Sequence, residues 1–250
     1  MPGFGTLVLL RHGESVLNAA GRFTGLLDPP LTARGRCEAK DAARLLAEAG
    51  LLPTAIFSST LVRATETADI VARTLGMAQQ PVRLWKLNER NYGSLTGRSK
   101  AELRTEFGED VLHCWRRTLY GTPPTMDQLA LGKLRRSPAL AGVPAGAVLA
   151  SESLIAVSKR VGEVWLHVLR PLVLEGETVL CVGHGNSLRA LCFLLDELSE
   201  AEVEALNIPT GQPLLYRFDG WALPFLRGGR YLNPLAARTA AEQVAAEGGT

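Results

Sequence analysis

The chain has 250 residues, of which 46% are hydrophobic and 21% are charged, and its formal net charge is +2. This is the composition of an ordinary globular protein, and the length suits one large α/β domain, so we treat residues 1–250 as a single domain. The small net charge gives no case for a nucleic-acid partner, and no apolar run suits a membrane span or a secretory signal. We therefore expect a cytoplasmic protein with neither a nucleic-acid nor a membrane partner.

The first clear element is the apolar run Leu7–Leu10, which predicts a buried strand. It ends abruptly in Arg11, His12 and Gly13. Ligands bind at the carboxyl ends of strands in open α/β sheets, so these residues are candidates for a binding site. Gly13 has no Cβ, and we expect a ligand to approach its backbone closely.

The next segments alternate between loop, helix and strand. Residues 18–25 form a polar stretch with two glycines, which predicts a ligand-facing loop. Thr32 precedes a helical pattern over 33–49, a strand is predicted at 55–58, and a helix at about 61–75. Arg63 lies in the first turn of that helix, where free amides and the helix dipole favour anions.

The middle of the chain is less regular. A short strand is predicted at 84–87. A capping-box pattern predicts a helix that begins at Ser99, and another helix is predicted over about 110–119. Residues 121–150 contain four prolines and several glycines, which predicts an irregular insertion or a lid.

The last hundred residues return to alternating elements. Ser151 opens a helical pattern that Pro171 ends or kinks, and a strand follows at 178–182. Helices are predicted at 187–198 and from Ser199, and a hairpin at 214–218 and 222–226 with its turn at 219–220. Residues 235–250 are treated as a flexible tail, either a marginal helix or disordered. The alternation predicts a three-layer α/β fold, a mostly parallel sheet with helices on both faces.

Cysteine usage indicates a reducing compartment. The four cysteines, at positions 37, 114, 181 and 192, form no Cys-x-x-Cys motif, and two of them lie inside apolar runs. We expect buried thiols rather than disulfides or a zinc site.

The candidate catalytic residues follow the ends of three predicted strands. Like the first strand, the strand at 178–182 runs into a His-Gly step at His184, and the strand at 55–58 leads to Arg63. If these strands are neighbours, His12, His184, Arg11 and Arg63 converge on one pocket. Arginine matches the geometry of phosphate, and a neutral imidazole is a nucleophile near pH 7. The pattern favours phosphoryl transfer to a histidine; spacing leaves open which ring attacks, although Arg11 favours His12.

A longer set of ordered blocks strengthens this hypothesis. They are 7–15, Asn18, 22–25, Arg63, 87–90, 92–93, 115–117, 152–154, 183–189 and 207–211. Together they resemble the cofactor-dependent phosphoglycerate mutases of the histidine phosphatase superfamily, over about residues 6–232. The resemblance implies interconversion of 3-phosphoglycerate and 2-phosphoglycerate, primed by 2,3-bisphosphoglycerate and with no metal ion. A homo-oligomer, either a dimer or a tetramer, is also expected.

The resemblance assigns roles to individual positions. His12 matches the phosphorylated histidine, Glu89 the proton donor and acceptor, and His184 the residue that stabilises the transferring phosphoryl group, with Arg11 and Arg63 beside them. The expected phosphate- and substrate-binding residues are Arg11, His12, Ser15, Asn18, Thr24, Gly25, Arg63, Glu89, Tyr92, Lys100, Arg116, Arg117, Gly185 and Asn186.

Some of these residues also have a structural interpretation. Without the resemblance, Glu89 could equally form an ion pair with Arg90, and Arg116-Arg117 would ordinarily form a solvated helix face. Lys100 stands at an expected surface position where a helix begins. His113 and His167 have no supporting neighbours and are taken as structural or surface residues.

The chain departs from the family pattern at Leu26, at Asn91 and over 121–150. These changes leave the phosphoryl-transfer residues intact but bear on how the substrate is covered. Two alternatives therefore stay open. One is a phosphatase that uses the same phosphohistidine step with water as the acceptor. The other is a non-catalytic protein that keeps the fold.

Overall fold

The run Leu7–Leu10 lies inside a fully buried strand, β1 (Thr6–Arg11), at the centre of a six-stranded sheet. The computed structural model describes residues 5–246. In order along the chain the other strands are β2 (Ala55–Ser58), β3 (Val82–Arg83), β4 (Thr178–Gly183), β5 (Leu214–Arg217) and β6 (Arg230–Tyr231). They lie side by side in the order β3-β2-β4-β1-β5-β6. The first four strands of that order are mutually parallel, and the last two are antiparallel to their neighbours.

Helices cover both faces of the sheet, as the alternating pattern predicts. They are α1 (Val16–Ala19), α2 (Ala33–Glu48), α3 (Val62–Thr74), α4 (Lys100–Phe107), α5 (Glu109–Arg117), α6 (Gln128–Arg135), α7 (Leu154–Val164), α8 (Arg170–Leu174), α9 (Gly185–Leu195), α10 (Glu200–Ala205) and α11 (Pro234–Ala246). Short 3-10 turns lie at Trp85–Leu87, Gly93–Leu95, Pro138–Leu140 and Ala145–Ala147.

Side-chain alternation along β1 builds the two halves of the core. Val8 and Leu10 belong to an apolar cluster with α2 and α3, whereas Leu7 and Leu9 belong to a cluster with α7 and α9. Successive side chains of a strand point to opposite faces, so a strand buried on both sides is apolar throughout. This arrangement gives the predicted three-layer α/β fold.

Two strand predictions are wrong. Residues 85–87 form a 3-10 turn instead of a strand, and only Val82 and Arg83 pair with β2. The predicted hairpin is reduced to one antiparallel bridge between Phe218 and Pro224, next to a hydrogen bond from the amide of Phe225 to the carbonyl of Arg217, so 222–226 forms no regular strand. Arg230 and Tyr231 pair with the start of β5. A tight turn does lie at Asp219, whose carboxylate accepts from the amides of Trp221 and Leu223. The alternation of apolar residues there belongs to a loop.

The helix around Pro171 continues through the proline. It begins after Ser153, whose hydroxyl caps Ala156, and not at Ser151. A π-helical turn, Trp165–Leu169, joins α7 to α8, and Pro171 sits in the first turn of α8. Proline lacks an amide hydrogen and crowds the carbonyl four residues back, and the wider turn relieves both effects.

The segment 121–150 is more ordered than the sequence predicts, and the C-terminal segment adopts the helix that is one of its two predicted forms. Residues 121–150 contain α6 and pack a small apolar cluster of Met126, Leu131, Leu134, Leu140 and Val148 against Leu26 and Leu61. The segment predicted as a flexible tail forms α11 as far as Ala246, and residues 247–250 lie outside the described part. No helix within 5–246 is long and apolar enough to cross a membrane.

Gly13 serves packing, which corrects the prediction that its missing Cβ admits a ligand. A Cβ at Gly13 would lie 2.1 Å from the carbonyl oxygen of Gly35 in α2. Gly35 in turn could not carry a Cβ, because it would lie 2.2 Å from the carbonyl oxygen of Glu14. The two glycines let the loop after β1 lie directly against the first turns of α2.

We predict that Gly13→Ala destabilises the fold by about 1–3 kcal/mol, because backbone must move to accept the methyl group. The free energy of unfolding from urea titration measures this. Gly146→Ala is the matched control, since a Cβ there meets nothing within 4 Å, and a change within about 0.5 kcal/mol is expected. Equal unfolding midpoints for the two variants would contradict the packing role.

Candidate active site

The register of β1 and β4 sets the two candidate imidazoles side by side. Arg11 pairs with Gly183, and the amide of His12 donates to the carbonyl of Gly183 at 3.0 Å. The next residues, His12 and His184, therefore leave neighbouring strands at the same edge of the sheet. Their ring centroids are 4.9 Å apart at an interplanar angle of 61°. Both rings are buried.

The ring of His12 is held in one tautomer. Its Nδ1 lies 2.7 Å from the carbonyl oxygen of Gly13, which can only accept, so Nδ1 carries the proton. The free nitrogen, Nε2, accepts from Nε of Arg63 at 3.2 Å. The other two nitrogens of Arg63 donate to the carbonyls of Leu27 and Gly25 at 2.8 and 2.9 Å. A nucleophilic lone pair thus faces a guanidinium fixed by the 24–28 loop.

Both imidazoles are kept neutral. Burial lowers the pKa of His12 well below its usual 6.5, and the charges of Arg63 and Arg11 lower it further, against the Gly13 hydrogen bond, which raises it. Burial is also the main cause that lowers the pKa of His184, followed by Arg63, His12 and Arg11. At pH 7 His12 is therefore in the form that can attack phosphorus.

His184 is oriented by a residue that the sequence patterns did not single out. The hydroxyl of Ser59 lies 2.6 Å from its Nε2, and the amide of Leu61 donates to the same hydroxyl at 3.2 Å. Ser59 directly follows β2, just as His12 follows β1 and His184 follows β4. Its position at a strand end is the signal that could have identified it.

A cavity of about 190 Å³ opens beside His12. Its wall carries six cationic side chains and three carboxylates, so it is built for an anion. The lining residues are Arg11, His12, Glu14, Asn18, Arg22, Phe23, Thr24, Gly25, Arg34, Glu38, Arg63, Glu89, Tyr92, Lys100, Arg116, Thr210, Gln212, Ala240, Gln243 and Val244. Within the described residues no group of three or more His, Cys, Asp or Glu side chains could hold a metal ion.

Glu89 turns its carboxylate toward this cavity. Its Oε1 accepts from the amide of Arg90 at 2.7 Å and from the amide of Asn186 at 3.3 Å. The Arg90 guanidinium is engaged elsewhere, because it donates to the carbonyls of Trp115, Gly121 and Glu152. The alternative interpretation of Glu89 as the ion-pair partner of Arg90 is therefore not supported by hydrogen bonding.

Most of the predicted ligand-binding residues line the cavity. Ser15, Arg117, Gly185 and Asn186 do not, and neither does His184, whose ring contacts that of His12. Arg117 points away, since its guanidinium donates to the carbonyls of Glu204 and Leu206.

Ser15 and Asn186 do not line the cavity themselves but form hydrogen bonds to residues that do. Ser15 Oγ donates to Asn18 Oδ1 at 2.7 Å, and Asn186 Nδ2 donates to the Tyr92 hydroxyl at 2.7 Å. Arg116 and Arg117 are both buried, so the interpretation as a solvated face is wrong.

Several lining residues were missed. Thr210 and Gln212 come from the loop before β5, and Gln243 comes from α11. The oxygen atoms Thr24 Oγ1 and Gln212 Oε1 are buried without a hydrogen-bond partner in the part of the chain that the structure describes. Such atoms cost free energy unless a ligand or water satisfies them. Helix α11 gave no sequence signal for a site, because its contribution depends on where the helix packs.

The prediction of buried thiols is confirmed for two of the four cysteines and wrong for the other two. Cys181 and Cys192 are buried, and burial raises the pKa of each to about 12. Cys37 and Cys114 are exposed, and all four are free thiols.

Comparison with known proteins identifies relatives over nearly the whole chain. The family model of the histidine phosphatase superfamily (branch 1) matches residues 7–223. A protein of Thermobifida fusca named 2,3-bisphosphoglycerate-dependent phosphoglycerate mutase is 43% identical over 97% of this chain and 99% of its own length. Proteins with the same name from Clavibacter michiganensis and Corynebacterium jeikeium are also 43% identical, over 97% and 98% of this chain and 97% and 96% of their own lengths.

Solved structures share the fold. A mycobacterial glucosyl-3-phosphoglycerate phosphatase aligns with a TM-score of 0.63 and 26% identity, covering 85% of this chain and 92% of that one. A putative alpha-ribazole-5'-P phosphatase from Escherichia coli aligns with a TM-score of 0.66 and 23% identity, covering 90% and 96%.

We predict that acid weakens the fold through His12 and His184. Their pKa values are lower in the folded state than the 6.5 of the unfolded chain, so the unfolded state binds more protons below that pH. Well above pH 6.5 the rings are neutral in both states and their titration has no effect, whereas protonation of the unfolded chain lowers the free energy of unfolding as the pH falls from 6.5 toward the folded-state values. Each ring should add a slope of up to about 1.4 kcal/mol per pH unit.

Urea unfolding at a series of pH values from 7.5 to 5 measures this slope. The His12→Asn/His184→Asn variant is expected to lose less stability over that range than the natural chain, because neither replacement titrates. Identical slopes for the two proteins would show that the rings do not take up extra protons on unfolding.

Proposed function

The chain belongs to the histidine phosphatase superfamily, and from this membership and the geometry of the cavity we propose that it is a 2,3-bisphosphoglycerate-dependent phosphoglycerate mutase, which interconverts 3-phosphoglycerate and 2-phosphoglycerate. The observation that carries the proposal is the neutral His12, whose free Nε2 faces Arg63 in a cation-lined cavity. The 43% identity to mutases over nearly their full lengths supports the same activity.

The residues present suit a ligand with two anionic ends. Arg11 and Arg63 lie beside His12, while Lys100 and Arg116 supply cations elsewhere on the wall. The unpartnered oxygens of Thr24 and Gln212 are available to the hydroxyl of a ligand. When bound, 2,3-bisphosphoglycerate supplies the phosphoryl group that primes the enzyme. We propose that these cationic side chains neutralise the phosphates and the carboxylate, and that no metal ion takes part.

The chemical step assigns one task to each central residue. The lone pair of His12 Nε2 forms a bond to phosphorus while the bond from phosphorus to the donor oxygen breaks, and Glu89 gives that oxygen a proton. In the return step a substrate hydroxyl attacks phosphorus, the N–P bond breaks, and Glu89 takes the hydroxyl proton. Arg63 and His184 stabilise the charge on the transferring group.

A phosphatase with water as the acceptor is the second candidate. Its support is the likeness to the glucosyl-3-phosphoglycerate phosphatase structure, which reaches 26% identity. The mutase is favoured because Lys100 and Arg116 provide cations for a second anionic group. An assay coupled to enolase, with and without 2,3-bisphosphoglycerate, decides between them. Phosphate release that far exceeds 2-phosphoglycerate formation would establish the phosphatase.

The proposal includes a cytoplasmic protein that forms a dimer or a tetramer. The buried free thiols of Cys181 and Cys192 support a reducing compartment. Light scattering after size-exclusion chromatography measures the oligomeric state.

We predict that His12→Ala abolishes both turnover and the phosphoenzyme, because the nucleophile is gone. Mutase turnover should fall by at least about 1,000-fold, and labelled 2,3-bisphosphoglycerate should leave no acid-labile label on the protein. His167→Ala, which alters an exposed histidine, is the control and should keep both signals. Absence of label on the natural chain itself would favour the non-catalytic alternative.

We predict that Glu89→Gln slows turnover by about 10²–10⁴-fold, the usual contribution of a general acid–base group. The amide keeps the shape of the side chain but cannot take and return a proton. Some phosphorylation of His12 should persist, which acid-labile labelling detects. Undiminished turnover would rule out proton transfer by Glu89.

A further inference from the structure

Arg160 of α7 directs three of its five N–H groups at the backbone of the segment that carries Glu89. Its Nη1 donates to the carbonyls of Lys86 and Asn88, each at 2.7 Å, and its Nη2 donates to the carbonyl of Glu89 at 3.1 Å. The remaining two N–H groups bind the carboxylate of Glu152 at 3.0 and 3.2 Å. A guanidinium has five N–H groups, so none is left for a ligand.

Glu152 holds the other side of the same segment. Its Oε2 accepts from the amide of Asn91 at 2.8 Å, and its own amide donates to the carbonyl of Asn91 at 2.9 Å. Its backbone carbonyl accepts from Nε of Arg90 at 2.6 Å. The backbone is thereby bonded before, at and after Glu89, while the Glu89 carboxylate remains directed to the cavity.

The ion pair lies outside the cavity but close behind it. The side chains of Arg160 and Glu152 are 12% and 6% exposed, and neither residue lines the cavity wall. The segment from 88 to 92 is irregular, with 3-10 turns on both sides. Without a helix or strand to fix it, its conformation depends on these side-chain bonds to carbonyl and amide groups.

We propose that Arg160, locked by Glu152, is a positioning residue that fixes the place of the Glu89 carboxylate for proton transfer. The proposal rests on the proposed function, in which Glu89 gives a proton to the oxygen leaving phosphorus. A buried ion pair alone is weak evidence for stability, and here it directs its donors at three backbone carbonyls around one functional side chain. A misplacement of about 1 Å in such a group can cost about 100-fold in rate.

A double-mutant cycle tests the coupling. The full-length chain is phosphorylated in a single turnover with labelled 2,3-bisphosphoglycerate, and the rate of acid-labile label formation is measured for Arg160→Met with Glu89 present and in the Glu89→Gln background. We expect a fall of about 10–100-fold with Glu89 present and less than about twofold in the Glu89→Gln background. The concentration of 2,3-bisphosphoglycerate that gives half the maximal rate should change little.

Two further variants serve as a matched control and as a conservative replacement. Lys159→Met removes a cation from the adjacent, exposed position of α7 and should leave the rate unchanged. Arg160→Lys keeps the charge but offers only three N–H groups, so it should recover part of the rate. The same fractional loss for Arg160→Met in both backgrounds would overturn the proposal, since it would show a general structural role.

If Arg160→Met does not fold, as judged by circular dichroism, Glu152→Gln replaces it in the double-mutant cycle. The amide keeps an acceptor for the Asn91 amide but loses the charge that holds Arg160, and the same dependence on Glu89 is expected. A natural chain that acquires label but forms no 2-phosphoglycerate would refute the mutase activity alone, and the cycle would still decide the role of Arg160.

Discussion

The parallel pairing of β1 with β4 is the constraint on which the site depends. A single backbone hydrogen bond, from the amide of His12 to the carbonyl of Gly183, continues that ladder one residue past the strand end. A slip of one residue would move every side chain of β1 to the opposite face and disrupt the packing of both apolar clusters. The buried core on both faces of the sheet therefore also fixes the two imidazoles at 4.9 Å from one another.

Burial and positive charge together make a histidine into a nucleophile. Protonation of His12 would add a buried cation next to Arg63 and Arg11, and both burial and these charges lower its pKa. The same cations that disfavour the imidazolium favour an incoming phosphate. One arrangement thus keeps the imidazole neutral and attracts its target.

Buried arginines hold the loops around the cavity. Arg63, Arg90 and Arg189 are among the largest fully buried side chains. Arg63 and Arg90 donate to loop carbonyls such as those of Gly25 and Gly121, whereas Arg189 donates to carbonyls in the last turns of α5 and α10. Carbonyl groups in loops and in the last turn of a helix lack a regular backbone partner, and a guanidinium can satisfy several of them at once. Arg160 does the same for the segment that carries Glu89.

Local sequence determined the alternating strands and helices, the strand ends that carry His12, Arg63 and His184, and, through the family resemblance, Glu89. Those features follow from hydrophobic periodicity and from the residues at which it stops. Only the tertiary structure decided that Gly13 packs against Gly35, that Arg117 turns toward Glu204, and that α11 reaches the cavity. It also reduced the predicted hairpin at 222–226 to a single bridge and added β6 beside the start of β5. Each of these outcomes depends on contacts between residues far apart in the chain, which neither periodicity nor motif spacing records.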